Sequence, residues 1–120
     1  MRSFWLSLAL VLPALGSAQA QDASAGEKTF LQCRACHQVG DAAKNAIGPV
    51  LNGLFGRKAG MVEGYTYSPA NKNSGLTWDE AMLDRWLTNT EKTIPGNKMG
   101  FSVPDPVDRA DIIEYLRTAK

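Results

Sequence analysis

A single histidine, two cysteines and no surplus of either charge leave few chemistries open to these 120 residues. A zinc site or a Ser-His-Asp hydrolase would have to be built around that one imidazole. Two thiols are too few for a disulfide-dense secreted scaffold. Thirteen Lys and Arg against twelve Asp and Glu lack the basic excess or stripe of a nucleic-acid binder. No apolar run approaches the ~20 residues that span a bilayer. Strand alternation and internal repeats are missing too, and the length allows one domain.

What is present begins with an export signal. Arg2 supplies a positive start, Phe4 to Leu12 is apolar apart from Ser7, and Pro13 and Gly16 break the run. Ala18-Gln19-Ala20 then fits the small-x-small rule for signal peptidase. The expected organisation is a signal peptide over 1–20 and one domain over 21–120. No cysteine lies near the cut to take a lipid anchor. Thirteen basic residues less Arg2 leave twelve against twelve acidic, a mature net charge of zero.

The mature region reads as all-α. Ser24 followed by Glu27 resembles a capping box and predicts a helix of about three turns carrying Phe30 toward Cys33. Thr77 with Glu80 repeats the pattern, and the helix after it sets Met82, Leu83, Trp86 and Leu87 on one stripe. A third helix is predicted from Asp105, with Pro106 suited to its first turn and Ala110, Ile113 and Leu116 recurring every third residue. Ser68-Pro69 predicts one short helical turn.

Between His37 and Tyr67 the sequence is mostly turn chemistry: Gly40, Gly48-Pro49, Gly53, Gly56, Gly60 and Gly64. So long a stretch without regular structure is unusual in a compact domain. Three helices and long loops bury little side-chain core by themselves. A large apolar cofactor wrapped by the loops would fill the middle.

Cys33-Arg34-Ala35-Cys36-His37 names a candidate for that filling. Two thiols three positions apart can form thioethers to the two haem vinyl groups, with the adjacent imidazole directed at the iron. Three other readings compete. A thioredoxin-like dithiol would want βαβ units around it. A zinc site would need a fourth ligand beyond the Cys-Cys-His trio. An inert Cys33–Cys36 disulfide would leave the missing core unexplained.

A sixth iron ligand has to come from elsewhere. Of four methionines, Met1 leaves with the signal, Met61 lies in a Gly-rich loop, and Met82 fits the buried stripe. Met99 sits in Ile94-Pro95-Gly96-Asn97-Lys98-Met99-Gly100-Phe101, stiffened by proline and flanked by glycines. A thioether is a soft ligand that raises the iron potential relative to two imidazoles.

The chain resembles class I cytochrome c, the family of mitochondrial cytochrome c and its bacterial periplasmic counterparts. The likeness runs from Gly26 to Leu116. It rests on Cys33 to His37, Gly48-Pro49, Gly53-Leu54-Phe55-Gly56-Arg57-Lys58, Tyr65-Thr66-Tyr67, Ala70-Asn71-Lys72-Asn73, Gly75 to Trp78, Ile94 to Met99 and Arg109-Ala110-Asp111.

The resemblance implies a small cytochrome c fold of three main helices, a short one and long loops around one covalent haem c. Cys33 and Cys36 are implied as attachment points. His37 is implied as proximal ligand, its other ring N–H donating to the Pro49 carbonyl, and Met99 as distal ligand. Arg57, Tyr67 and Trp78 match groups that hydrogen-bond the haem propionates, and Asn71 a residue that orders a buried water near the methionine. Gly26, Phe30 and Tyr115 match the packing of first and last helices, and Phe101 the aromatic that shields the methionine side. Two positions depart from the family. Trp86 stands where a tyrosine commonly hydrogen-bonds the methionine sulfur, and Glu91 where a lysine is frequent.

The function implied is one-electron transfer by a soluble periplasmic monomer with no catalytic residues and no nucleic-acid partner. Its partners would be a membrane oxidase, reductase or reaction centre, or soluble redox proteins, docked transiently at the haem edge. Lys44, Lys58, Lys92 and Lys98 form at most a modest steering patch. Two other classes stay open here. A labile Met99 loop would suit a peroxidase or gas binder, with Lys98 or Lys92 displacing the methionine at high pH. A disulfide oxidoreductase would lack the ~616 Da that covalent haem adds to the chain.

Overall fold

The computed structural model describes residues 9–11 and 21–120. Apart from residues 9–11, the predicted signal peptide and its cleavage site lie outside the described residues. No helix among the described residues is long and apolar enough to cross a membrane.

Each helix starts where a side-chain oxygen meets backbone N–H groups that have no carbonyl partner. The Asp22 carboxylate accepts from the Ser24 and Ala25 amides at 2.9 and 3.2 Å and opens α1, Ala23–Thr29. A 3₁₀ turn, Phe30–Gln32, carries the chain on into Cys33. Together they make the first helix expected, with the cap at Asp22 in place of Ser24. The Ser68 hydroxyl accepts from the Asn71 amide at 3.1 Å and starts α2, Pro69–Lys72.

Helix α3, Glu80–Thr88, is capped by Asp79, which accepts from the Met82 amide at 2.8 Å. The predicted cap, Thr77, is taken instead by an isolated antiparallel bridge to Lys58. One short helix was missed. Asn89 accepts from the Lys92 amide at 2.9 Å and caps α4, Thr90–Thr93. Asp105 caps α5, Pro106–Thr118, as expected.

The frame is the crossing of α1 and α5. Gly26 is buried there, and a Cβ on it would lie 1.9 Å from the Asp111 carbonyl oxygen. Only a residue without a side chain lets the two backbones meet. The crossing also buries Phe30, whose ring stands 5.3 Å from that of Tyr115. The Asp111 carboxylate, itself buried, accepts the Asp22 amide at 3.0 Å. Helix α5 packs on α3 as well as α1, so Asp111 and Ile112 are buried beside Ile113 and Leu116. The three-residue stripe in the sequence had left those two out.

From Cys33 to Ser68 the chain has no helix or strand, as the turn chemistry predicted. The helices hold the two ends of this long loop, and a cavity opens between loop and frame.

Candidate cofactor-binding cavity

The core and the cavity share their walls. Phe30, Leu54, Trp78, Leu83, Trp86, Leu87, Ile112 and Leu116 all belong to the buried core, and all line one cavity of about 340 Å³. Side chains that would meet each other in a solid core here face a common space.

Cys33 and Cys36 open onto that space from the end of the 3₁₀ turn, neither bridged to the other. Burial, with Cys36 as the lesser cause, pushes the Cys33 thiol up to about 11. The thiol is therefore held protonated at neutral pH, unlike the activated thiolate of a dithiol oxidoreductase.

His37 follows on the same wall. Its Nδ1 lies 2.8 Å from the Pro49 carbonyl oxygen, as expected. A carbonyl can only accept, so Nδ1 carries the proton and Nε2 keeps its lone pair. Burial lowers the imidazole's pKa; the Pro49 contact opposes this and the Arg57 charge adds to it. The ring is also clamped sterically. A Cβ on Gly48 would sit 2.4 Å from His37 Cε1 and under 3 Å from both ring nitrogens. A neutral imidazole of fixed tautomer, pinned through its far nitrogen, is the arrangement found in histidine metal ligands.

Met99 lines the cavity as well. Met82 packs against the core without reaching the cavity, and Met61 is 65% exposed. Among the described residues Met99 is thus the one methionine on the cavity wall.

The polar residues expected around the cofactor are all on the wall: Arg57, Tyr67, Asn71 and Trp78. Arg57 donates from one guanidinium nitrogen to the Val50 and Asn52 carbonyls, each at 3.2 Å. Burial lowers its pKa and Tyr67 opposes the shift. The Tyr67 hydroxyl accepts from the Val62 amide at 3.0 Å, leaving its own proton free to be donated. Trp78 is 6% exposed and meets Trp86 edge to face at 5.6 Å. Trp86 therefore belongs both to the core and to the cavity. Phe101, by contrast, is 40% exposed and off the cavity wall.

Asn71 Oδ1 is the one buried side-chain polar atom among the described residues with no hydrogen-bond partner. Such an acceptor normally finds a protein or water donor. Asn71 lines the cavity, so a donor held there would satisfy this oxygen. Ile47, Leu51 and Tyr65 complete the walls. None had been assigned a role from sequence, though the first two stand beside the Gly48-Pro49 and Gly53 turns.

Two thiols, a neutral imidazole, a thioether, apolar walls and a few donors on one cavity fit a covalently attached haem c. Comparisons with known proteins agree. The cytochrome c family profile matches residues 23–120. The cytochrome c2 of Rhodoblastus acidophilus is 53% identical over 102 residues, spanning 84% of this chain and 95% of that protein. The cytochrome c2 of Blastochloris viridis is 46% identical over 118 residues, spanning 98% and 93%. The solved structure of cytochrome cH from Methylobacterium extorquens superposes with a TM-score of 0.76 at 50% identity, covering 81% of this chain and 98% of that one. With motif, cavity and relatives in agreement, the chain belongs to the cytochrome c family, and one covalently attached haem c is the group its hollow core is shaped to take.

Proposed function

We propose that the chain is an exported one-electron carrier of the bacterial periplasm, with residues 1–20 as its signal peptide and no enzymatic activity of its own. The observation carrying this reading is that Cys33, Cys36, His37 and Met99 all line one apolar cavity.

Haem c bound there supplies a reversible one-electron couple at its iron. The protein's part is to hold and insulate. Cys33 and Cys36 would be the thioether anchors, and His37 Nε2 and the Met99 sulfur would hold the iron. Two ligands supplied by the chain would leave no open coordination place for a substrate. His37 is held by Pro49 and Gly48, and a ring so fixed would keep the reorganisation accompanying electron transfer small. The Met99 thioether and the apolar walls favour the reduced form. Arg57, Tyr67 and Trp78 carry donors suited to the propionates, and Asn71 Oδ1 an acceptor suited to an ordered water.

Partners would dock at the cavity rim, where Ile47 is 73% exposed. A membrane oxidase, reductase or reaction centre is the partner class that suits a periplasmic carrier. A mature charge of zero makes such encounters weakly dependent on salt.

Met99→Ala tests the reading. The ferric protein should lose its sulfur-to-iron charge-transfer band, bind added carbon monoxide when reduced, and fall in potential. An unchanged spectrum would remove Met99 from the site.

A further inference from the structure

The segment joining α4 to α5 carries Met99 and contains no helix or strand. Ordering each of its residues costs roughly 1–2 kcal/mol of backbone entropy, so something must hold its shape. Two side chains do so, one from within the segment and one from α4.

Asn97 makes three bonds to its own loop. Its Oδ1 accepts from the Met99 amide at 2.9 Å and the Gly100 amide at 3.3 Å, and its Nδ2 donates to the Ile94 carbonyl at 2.9 Å. The carboxamide thus bridges the start of the loop to the two residues at its tip. Glu91, on α4, adds a second brace. Both of its carboxylate oxygens lie within reach of the Gly96 amide, at 3.1 and 3.3 Å. A lysine in its place would have three donors and no acceptor. The brace therefore comes with this chain's acidic residue.

We propose that Asn97 and Glu91 are positioning residues for Met99, and that together they set how readily an outside ligand takes the methionine's place. The inference rests on the reading of Met99 as an iron ligand. Moving the backbone that carries the sulfur away from the cavity rotates the Met99 and Gly100 amides, which breaks the Asn97 bonds. It also releases the Pro95-Gly96 turn that Glu91 holds. Neither side chain touches the cavity itself, so both act through the backbone that carries the ligand.

Imidazole titration of the ferric holoprotein, followed at the charge-transfer band, reads the opening directly. The Asn97 bonds to Ile94 and Met99 are part-buried and the Glu91 contact is exposed, which predicts that Asn97→Ala binds imidazole about thirtyfold more tightly than wild type and Glu91→Ala about fivefold. Asn97→Asp keeps an acceptor for the two amides and Glu91→Gln keeps one for Gly96, so each should recover most of the wild-type affinity. Global unfolding by denaturant should weaken in the same order in the two alanine variants, because the unfolded chain lacks these bonds as well, and should move little in Asn97→Asp and Glu91→Gln.

Wild-type imidazole affinity in both alanine variants would overturn the inference, as would failure of the acceptor-retaining variants to restore it. Met99→Ala in the same series separates the two claims. If that variant keeps the band, the ligand reading has failed; if it loses the band while Asn97→Ala and Glu91→Ala behave as wild type, only the positioning inference has. Should Asn97→Ala not fold, amide hydrogen exchange in the wild-type holoprotein decides the matter. The Gly96 and Met99 amides should be protected, and unprotected ones would sink the proposal.

Discussion

The crossing of α1 and α5 and the long loop from Cys33 to Ser68 solve the same problem by opposite means. In the crossing, helical backbone satisfies itself, and close packing does most of the rest: Gly26 against the Asp111 carbonyl, Phe30 against Tyr115, with one hydrogen bond from the Asp22 amide to the Asp111 carboxylate. In the loop, side-chain amides stand in for a missing ladder. Asn52 both accepts from the Gly40 amide at 2.9 Å and donates to its carbonyl at 2.7 Å. Asn45 accepts from the Val50 amide at 2.9 Å and donates to the Glu63 carbonyl at 3.0 Å. Tyr65 donates to the Ile47 carbonyl at 2.7 Å. The loop's backbone has no ladder to pair in, and a porphyrin face offers it no hydrogen-bond partner. The loop can therefore wrap an apolar cofactor only by carrying its own polar partners. The crossing is held by shape, the loop by hydrogen bonds.

That difference can be broken most severely at Gly26. In Gly26→Ala the new methyl would sit 1.9 Å from a backbone oxygen and 2.9 Å from Tyr115 Cβ, and no side-chain rotation relieves a clash with main chain. Forcing the helices apart should cost about 3 kcal/mol, the upper end for overpacking. Denaturant unfolding of the holoprotein checks it. The midpoint should fall while imidazole affinity at the iron changes little. A variant with wild-type stability would mean that the crossing yields as easily as the loop.

How much of this was legible beforehand follows the same division. Helix positions, the Cys33-to-His37 attachment motif and the long unstructured stretch depend on nearby residues, and sequence alone located them. Helix ends were less legible, because competition decides them. Thr77 has the right hydroxyl, yet its backbone pairs with Lys58 and Asp79 caps in its place. The four-residue α4 was too short to show a period. Contacts that close the fold were invisible for a plainer reason. Arg34, inside the attachment motif, donates to the Tyr115 hydroxyl at 2.8 Å and stacks over Phe30, and nothing local to either partner announces the pair. Gly48 likewise reads as a turn residue, although its bare backbone is what lets the His37 ring lie flush.

A milder break lies inside the loop. Tyr67→Phe removes the acceptor of the Val62 amide, a loss of about 1 kcal/mol. It also changes the response to alkali. Burial is the main cause raising the Tyr67 hydroxyl above its usual 10, opposed by the Val62 amide and Arg57, with Tyr65 adding to the rise. A raised folded-state value contributes stability that is complete below pH 10 and is lost as pH climbs through the folded value. The phenylalanine variant has no such group to lose. The stability gap between wild type and variant should therefore be widest near neutrality and narrow above pH 10. Denaturation midpoints at several pH values would test this, and a gap that widened in alkali would refute it.

The smallest break falls where loop and Met99 segment meet. The Lys98 ammonium donates to the Thr66 carbonyl and lies 4.7 Å above the Tyr65 ring, tying the residue beside Met99 to the loop across the cavity mouth. Both contacts are exposed to solvent, which limits each to a fraction of a kcal/mol. Lys98→Ala should accordingly leave global unfolding unchanged and raise imidazole affinity only about twofold. Lys98→Met sharpens the point, because it keeps the apolar stem over Tyr65 and removes the charge. Equal effects from the two variants would assign the tether to the ammonium, and a smaller effect from methionine would assign it to the stem. A shift as large as that expected for Asn97→Ala would place the main restraint on Met99 outside its own segment, and the loop would then be held from across the mouth and not from within.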